Sequence, residues 1–132
     1  MTEKPTEKDF PAVMEKVYAS IESQTPKEDL VEFSKSIKAL TFEFPDVGLS
    51  FHLSIGDDGL LTQLSEPPEK VDCTISMSSE TNHALMMGET NETKAFMAGK
   101  LKIGGFNPMK LQQILPKLGP MNEYYKKALE EI

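Results

Sequence analysis

The chain has 132 residues and no arginine. All 14 of its cations are lysines. A lysine is a compact point charge, so planar bidentate recognition of phosphate or carboxylate is closed to this protein. Its only cysteine is Cys73, which excludes an internal disulfide and a cysteine-built zinc site. Cys73 falls in the alternating run Val71, Cys73, Ile75, Met77 and reads as a small buried apolar residue. No uncharged apolar run is longer than a few residues, so no segment reads as a helix that spans a bilayer. The opening "MTEKPTEKDFPAV" has no apolar run after its charges and does not read as a secretory signal, so a cytoplasmic location is expected. The sequon Asn91-Glu92-Thr93 then has no glycan to carry.

The chemistry of catalysis is also thin. None of G-x-S-x-G, G-x-x-x-x-G-K-[ST], H-E-x-x-H and G-x-G-x-x-G is present. The two histidines, His52 and His83, read as solvent-facing, and no nucleophile–base pair stands out. Asp57-Asp58, flanked by Gly56 and Gly59, reads as turn chemistry, not as a pair of catalytic carboxylates. A catalytic pairing of His83 with Glu80, one helical turn before it, is the weaker alternative. No metal and no cofactor are expected.

The net charge of −7 argues against a general nucleic-acid binder. Its distribution says more. Between Glu92 and Glu123 there is no acid, yet Lys94, Lys100, Lys102, Lys110 and Lys117 lie there. That stretch carries +5, which leaves −12 for the remainder.

Length and periodicity indicate one domain over residues 9–132 behind a polar tail, residues 1–8, expected to be disordered. Phe10, Val13, Met14, Val17, Tyr18 and Ile21 recur at helical spacing, with Asp9 as the expected N-cap. A second helix follows Pro26, with Leu30, Phe33 and Ile37 on its apolar face. The period then drops to two: Leu40–Phe44, Leu49–Ile55, Leu60–Leu64 and Val71–Met77 read as four strands of an antiparallel meander with one face buried. Short helices from Ser78 or Ser79, and from Thr90 or Asn91, end at Gly88 and Gly99. Lys100–Gly104 reads as a fifth strand, with Leu101 and Ile103 inward and both lysines in water. A helix from Pro108 is expected to kink or end at Pro116, and Met121–Ile132 forms the last. The fold class is therefore α+β, a five-stranded mostly antiparallel sheet covered on one face by helices.

Five of the eight methionines fall between Met77 and Met109. Methionine is flexible and suits surfaces that adapt to varied apolar partners; it also serves as ordinary core filler. The short, glycine-bounded helices over residues 79–98 suit a segment that opens easily above an apolar pocket.

The segment Asp72–Gly105, "DCTISMSSETNHALMMGETNETKAFMAGKLKIGG", resembles the sterol carrier protein 2-like family. The likeness rests on Gly88, on Ala95, Phe96, Gly99, Lys100, Leu101, Lys102, Ile103 and Gly105, and on the following Met109-Lys110-Leu111. With the upstream elements it covers about residues 9–118. The resemblance implies a sheet and helices enclosing an apolar tunnel that binds and moves fatty acids, fatty acyl-CoA or sterols without chemistry. By position, Phe96, Met97, Leu101, Ile103, Met109, Leu111 and Leu115 line the tunnel or its mouth. Met77, Met86 and Met87 lie opposite, and Ile21, Phe33 and Ile37 close the far side. The turn after Gly105, "GFNPMKL", is shorter than the family's, so the mouth near Phe106 differs. With arginine absent, a lysine (Lys94, Lys110 or Lys117), a backbone amide or a polar side chain such as Gln24 must meet an anionic head group. The chain ends Glu130-Glu131-Ile132, unlike the small-basic-leucine signal of peroxisomal members.

The expected partner is thus a lipid ligand, of the fatty acid or acyl-CoA type, with transient membrane contact and no nucleic acid. Two rival readings remain: an interaction module that dimerises through Tyr124, Tyr125, Leu129 and Ile132, and an accessory domain that presents acyl substrates to an enzyme.

Overall fold

A computed structural model describes residues 4–132; residues 1–3 of the expected tail lie outside the described residues. Pro5 is already buried, and Lys4 Nζ donates to Ser79 Oγ at 3.3 Å. Helix α1, Phe10–Gln24, buries the whole face that its periodicity predicts. Its start differs from expectation. Asp9 makes no capping bond, because its carboxylate accepts from Thr6 Oγ1 instead, at 3.1 Å. The Thr6 carbonyl takes the Phe10 N–H at 2.9 Å. Helix α2, Lys27–Ser34, places Glu28 and Asp29 in its first turn, where carboxylates offset the positive end of the helix dipole.

Strands β1 (Ala39–Phe44), β2 (Leu49–Ile55), β3 (Leu61–Leu64), β4 (Cys73–Met77) and β5 (Leu101–Gly104) form one sheet in the order β3-β2-β1-β4-β5. The expected meander stops at β3. Strand β4 crosses to the other side of β1 and pairs with it in parallel, while every other pairing is antiparallel. The sheet is therefore mixed. The physical reason is that β1, whose side chains are buried on both faces, would otherwise bury an unpaired ladder edge. Asp72 fixes the crossing: its Oδ2 accepts from the Lys38 and Ala39 N–H groups at 2.9 and 3.0 Å.

The register puts Leu40, Phe42, Phe44, Leu53, Cys73, Ile75 and Leu101 on one face, all of them in the hydrophobic core. Thr41, His52, Thr74, Ser76 and Lys102 share the other. Helix α1 lies over the apolar face. Phe10 meets Phe44 edge-on with centroids 4.9 Å apart, and Tyr18 stacks on Phe42 at 5.4 Å.

After β4 come α3 (Ser79–Met86) and α4 (Glu92–Met97); after β5 come α5 (Pro108–Ile114), a 3-10 turn (Leu115–Leu118) and α6 (Met121–Glu130). Ser78, Asn91 and Asn107 cap α3, α4 and α5 through their side chains. Pro116 lies within the 3-10 turn and ends α5 as expected. Gly119 then turns the chain at φ +103°, where an added Cβ would lie 2.8 Å from the Tyr124 hydroxyl. That close approach seats α6 on α1, where Tyr124, Tyr125, Ala128 and Leu129 are buried.

Candidate functional site

The same alternation that builds the core also floors a cavity of about 220 Å3 at the β5 side of the sheet. Phe42, Ile75, Met77, Leu101 and Ile103 form its floor. Asn82, Leu85 and Met86 of α3 wall one side, and Thr93 and Phe96 of α4 with Met109 and Leu111 of α5 wall another. Leu115 and the start of α6, Met121 and Asn122, close the end. Depth follows from exposure. Phe42, Ile75, Asn82 and Leu111 are at most 3% exposed, whereas Phe96 and Met109 are 44% and 74% exposed and mark the mouth.

The mouth is bridged by one hydrogen bond: Gln112 Nε2 of α5 donates to Thr93 Oγ1 of α4 at 2.6 Å. Helix α4 has six residues and buries only Ala95. So few buried apolar groups leave it among the segments that open most easily. Glu92 is the only ionisable side chain on the lining, so the interior offers a ligand no cation.

The structure brings together Met77, Met86, Phe96, Leu101, Ile103, Met109, Leu111 and Leu115 from the residues expected on the tunnel. Ile21, Phe33 and Ile37 are fully buried in the core under α1 and α2 and do not line the cavity. Met87 and Phe106 are half-buried against the core and are not on the lining, and Met97 is 81% exposed. Lys94 and Lys110 are exposed, each one residue from the lining residues Thr93 and Met109. Lys117 is engaged elsewhere, 3.7 Å from Asp29, and Gln24 is exposed at the end of α1. Strand β5 begins at Leu101, one residue later than expected, so Lys100 lies just before it; Lys100 and Lys102 are both exposed, as alternation predicts.

Sequence reasoning missed Phe42, Ile75, Asn82, Leu85, Glu92, Thr93, Pro108, Gln112, Met121 and Asn122. The periodicity of Phe42 and Ile75 marks them as inward-facing, and inward-facing reads as core.

Polar groups elsewhere differ from expectation. His83 is buried, not exposed, with Nδ1 2.7 Å from the Tyr125 hydroxyl; burial pushes that hydroxyl's pKa up. His52 is half-buried and its Nδ1 lies 2.9 Å from Thr41 Oγ1. Burial, helped by the charge of Asp72, pushes the Cys73 thiol up to about 11, so it stays protonated at neutral pH. The Asp57-Asp58 pair behaves as a turn: Asp58 Oδ1 accepts from the Leu60 N–H at 3.0 Å and Asp57 pairs with Lys38 at 3.0 Å. Among the described residues no group of three or more His, Cys, Asp or Glu side chains could hold a metal, and no helix is long and apolar enough to cross a membrane.

An open mixed sheet with helices and an apolar cavity at one side defines an α+β domain of the small-ligand-binding class. The model of the SCP-2 sterol transfer family matches residues 19–116, and the chain belongs to that family. The family is one of lipid-binding and lipid-transfer domains. Comparison with curated protein sequences finds no match. Among solved structures, the apo form of sterol carrier protein 2 from Yarrowia lipolytica has a TM-score of 0.61 at 23% identity, over 87% of this chain and 96% of that one. A UbiJ-SCP2 ubiquinone synthesis protein gives 0.60 at 20% identity, over 92% and 98%. The inverting sec-alkylsulfatase Pisa1 from Pseudomonas sp. gives 0.59 at 20% identity over 76% of this chain; the chain spans only 16% of that enzyme's length. These likenesses show the fold. The resemblance first seen over Asp72–Gly105 thus holds for the family and extends to most of the chain.

Proposed function

We propose that this protein binds a lipid with a long hydrocarbon body in the cavity between β1, β4, β5 and the helices α3 to α5, and carries or presents it without covalent chemistry. The observation that carries this reading is the cavity itself: apolar at depth, edged by exposed Phe96 and Met109, and covered by a helix held through one buried residue. The ligands favoured are a fatty acid or a fatty acyl-CoA. Their anionic ends stay outside the mouth, beside Lys94 and Lys110, because no cation lines the interior.

Magnitudes set the length of the tail. Micromolar binding needs about 8 kcal/mol, and association costs at least about 4 kcal/mol. At about 0.8 kcal/mol per buried methylene, that calls for about fifteen methylenes. The 220 Å3 present falls below the roughly 300–1,000 Å3 of pockets that take drug-sized ligands, so a full tail enters as Phe96, Met109 and α4 move outward. Native mass spectrometry of freshly purified protein, with displacement of a fluorescent fatty acid, tests the reading. Co-purified lipid and competitive displacement are expected; the absence of both sinks it. An accessory role, handing an acyl substrate to an enzyme, is the second reading. Its support is that the sec-alkylsulfatase resembles this chain over only a small part of its length.

A further inference from the structure

Asn82 is the one polar side chain among the deeply buried residues of the cavity lining. It is 1% exposed and lies among Phe42, Ile75, Leu85 and Leu111. Its Nδ2 donates only to the Met14 sulfur, at 3.5 Å, a weak acceptor. Its Oδ1 accepts no hydrogen bond among the described residues. Yet the only unpaired side-chain oxygen or nitrogen shut away from solvent there is the Tyr18 hydroxyl. The open side of the Asn82 amide is therefore the side on the cavity. Water can reach that side while the cavity is empty; a ligand that displaces it leaves the carboxamide unpaired, which is destabilising, unless it brings a group that both donates and accepts.

We infer that Asn82 is a polar anchor at the deep end of the site, selecting a lipid whose buried end carries a neutral hydroxyl. This rests on the lipid-binding reading above and narrows it. A hydroxyl donates to Oδ1 and accepts from Nδ2, which satisfies both halves of the amide. An ionised carboxylate cannot take that place, because no cation lines the cavity and an unpaired buried charge costs far more than a buried hydroxyl. A bare methyl end leaves the amide unpaired. Sites built to bond a hydroxyl reject the analogue that lacks it for this same reason.

Two straight-chain sources share this chemistry: a fatty alcohol inserted hydroxyl first, and an acyl chain hydroxylated at its far end and inserted tail first. Two ligand pairs distinguish them by displacement of a fluorescent fatty-acid probe. Dodecan-1-ol is compared with its methyl ether, and 12-hydroxydodecanoate with dodecanoate. In the unaltered protein the hydroxyl-bearing member of at least one pair binds more tightly, and the pair that shows it names the source. In Asn82→Leu that ratio falls at least tenfold, because the hydroxyl loses its partner and a bare methyl end no longer leaves an amide unpaired. Asn82→Ala repeats the measurement in case leucine disturbs α3, and circular dichroism checks the helix content of both. A smaller fall in both variants, or no preference in either pair while plain ligands bind, overturns the anchor and leaves the lipid-binding reading standing. No binding by any of the four ligands overturns both.

Discussion

Tyr18 is wholly buried on α1, stacked on Phe42 and tilted against Phe51 at 5.5 Å, and its hydroxyl has no partner among the described residues. Burial drives its pKa well above the ordinary value, so the group stays neutral and the only cost is the lost hydrogen bond to water. An unsatisfied buried hydroxyl costs roughly 1–3 kcal/mol. Tyr18→Phe keeps the ring and removes that cost, so it is expected to stabilise the protein by about 1 kcal/mol in urea denaturation. A loss of stability would mean that the hydroxyl has a partner after all. Heptad-like spacing made Tyr18 legible as an inward residue, but not its orphaned oxygen. His83 was misjudged for a related reason. Helix α3 is short and buries Ser79, Thr81 and Asn82 along with Met86, so its pattern has no clear apolar side. The partner that makes a buried His83 tolerable, Tyr125, stands 42 residues further on.

The elements follow local signals closely where caps and turns decide, and depart where a partner across the sheet decides. Ser78, Asn91 and Asn107 stand at N-caps that the sequence marks, directly or by the following proline. The parallel pairing of β4 with β1 was not legible, since a strand's own alternation says which face is apolar and nothing about its neighbour. Helix α3 shows the same division. Ser78 caps it locally, accepting from the Thr81 N–H at 3.0 Å. A second anchor comes from the β1–β2 turn: Asp46 accepts from the Ser79 N–H at 2.9 Å and from Ser79 Oγ at 2.6 Å. Burial alone would raise the Asp46 pKa, but these bonds, with Lys4 nearby, outweigh it and hold the carboxyl below its ordinary value. Lys100 and Lys102 edge the same hollow. A depressed carboxyl contributes stability above its unfolded pKa and loses it as pH falls through the folded one. Asp46→Asn is therefore expected to be less stable at neutral pH and to lose less on acidification to about pH 3, seen as a smaller shift in urea midpoint between the two pH values. An unchanged shift would show that Asp46 does not hold α3.

At the scale of the whole molecule, what was legible was the family and the α+β layering. The boundary between core and cavity was not. Leu40 and Phe42 share one period and flank the same Thr41, yet only Phe42 lines the cavity. Periodicity cannot show this: Phe42 stacks on Tyr18 of α1 and still borders the cavity walled by α3, α4 and α5. The last helix shows how far the reading of one face depends on the rest. Tyr124, Tyr125, Leu129 and Ile132 look like a dimerisation surface in sequence. In the fold the first three are buried and only Ile132 is exposed. Thr25 ties the helix down: its hydroxyl donates to the Leu118 carbonyl at 2.8 Å and lies 3.1 Å from the Tyr124 hydroxyl. Helix α6 lies beyond the stretch matched by the family model, which ends at residue 116, so family membership alone does not say whether the domain needs it. Energetics does. An aromatic side chain buries roughly 150–250 Å2, at about 25 cal/mol per Å2. Two tyrosines with Met121 and Leu129, the last two at about 1.5–3 kcal/mol each, then bring roughly 10–18 kcal/mol as an upper bound. That is comparable to the whole stability of a domain, about 5–15 kcal/mol. Deleting residues 121–132 should therefore remove the cooperative thermal transition and expose surface that binds the dye ANS, because it uncovers the apolar face of α1 and strips His83 of its partner. If α6 served dimerisation instead, the truncated chain would melt cooperatively within a few degrees of the full protein and elute as a smaller species in size exclusion. That result would make α6 an appendage and return its tyrosines to an interface.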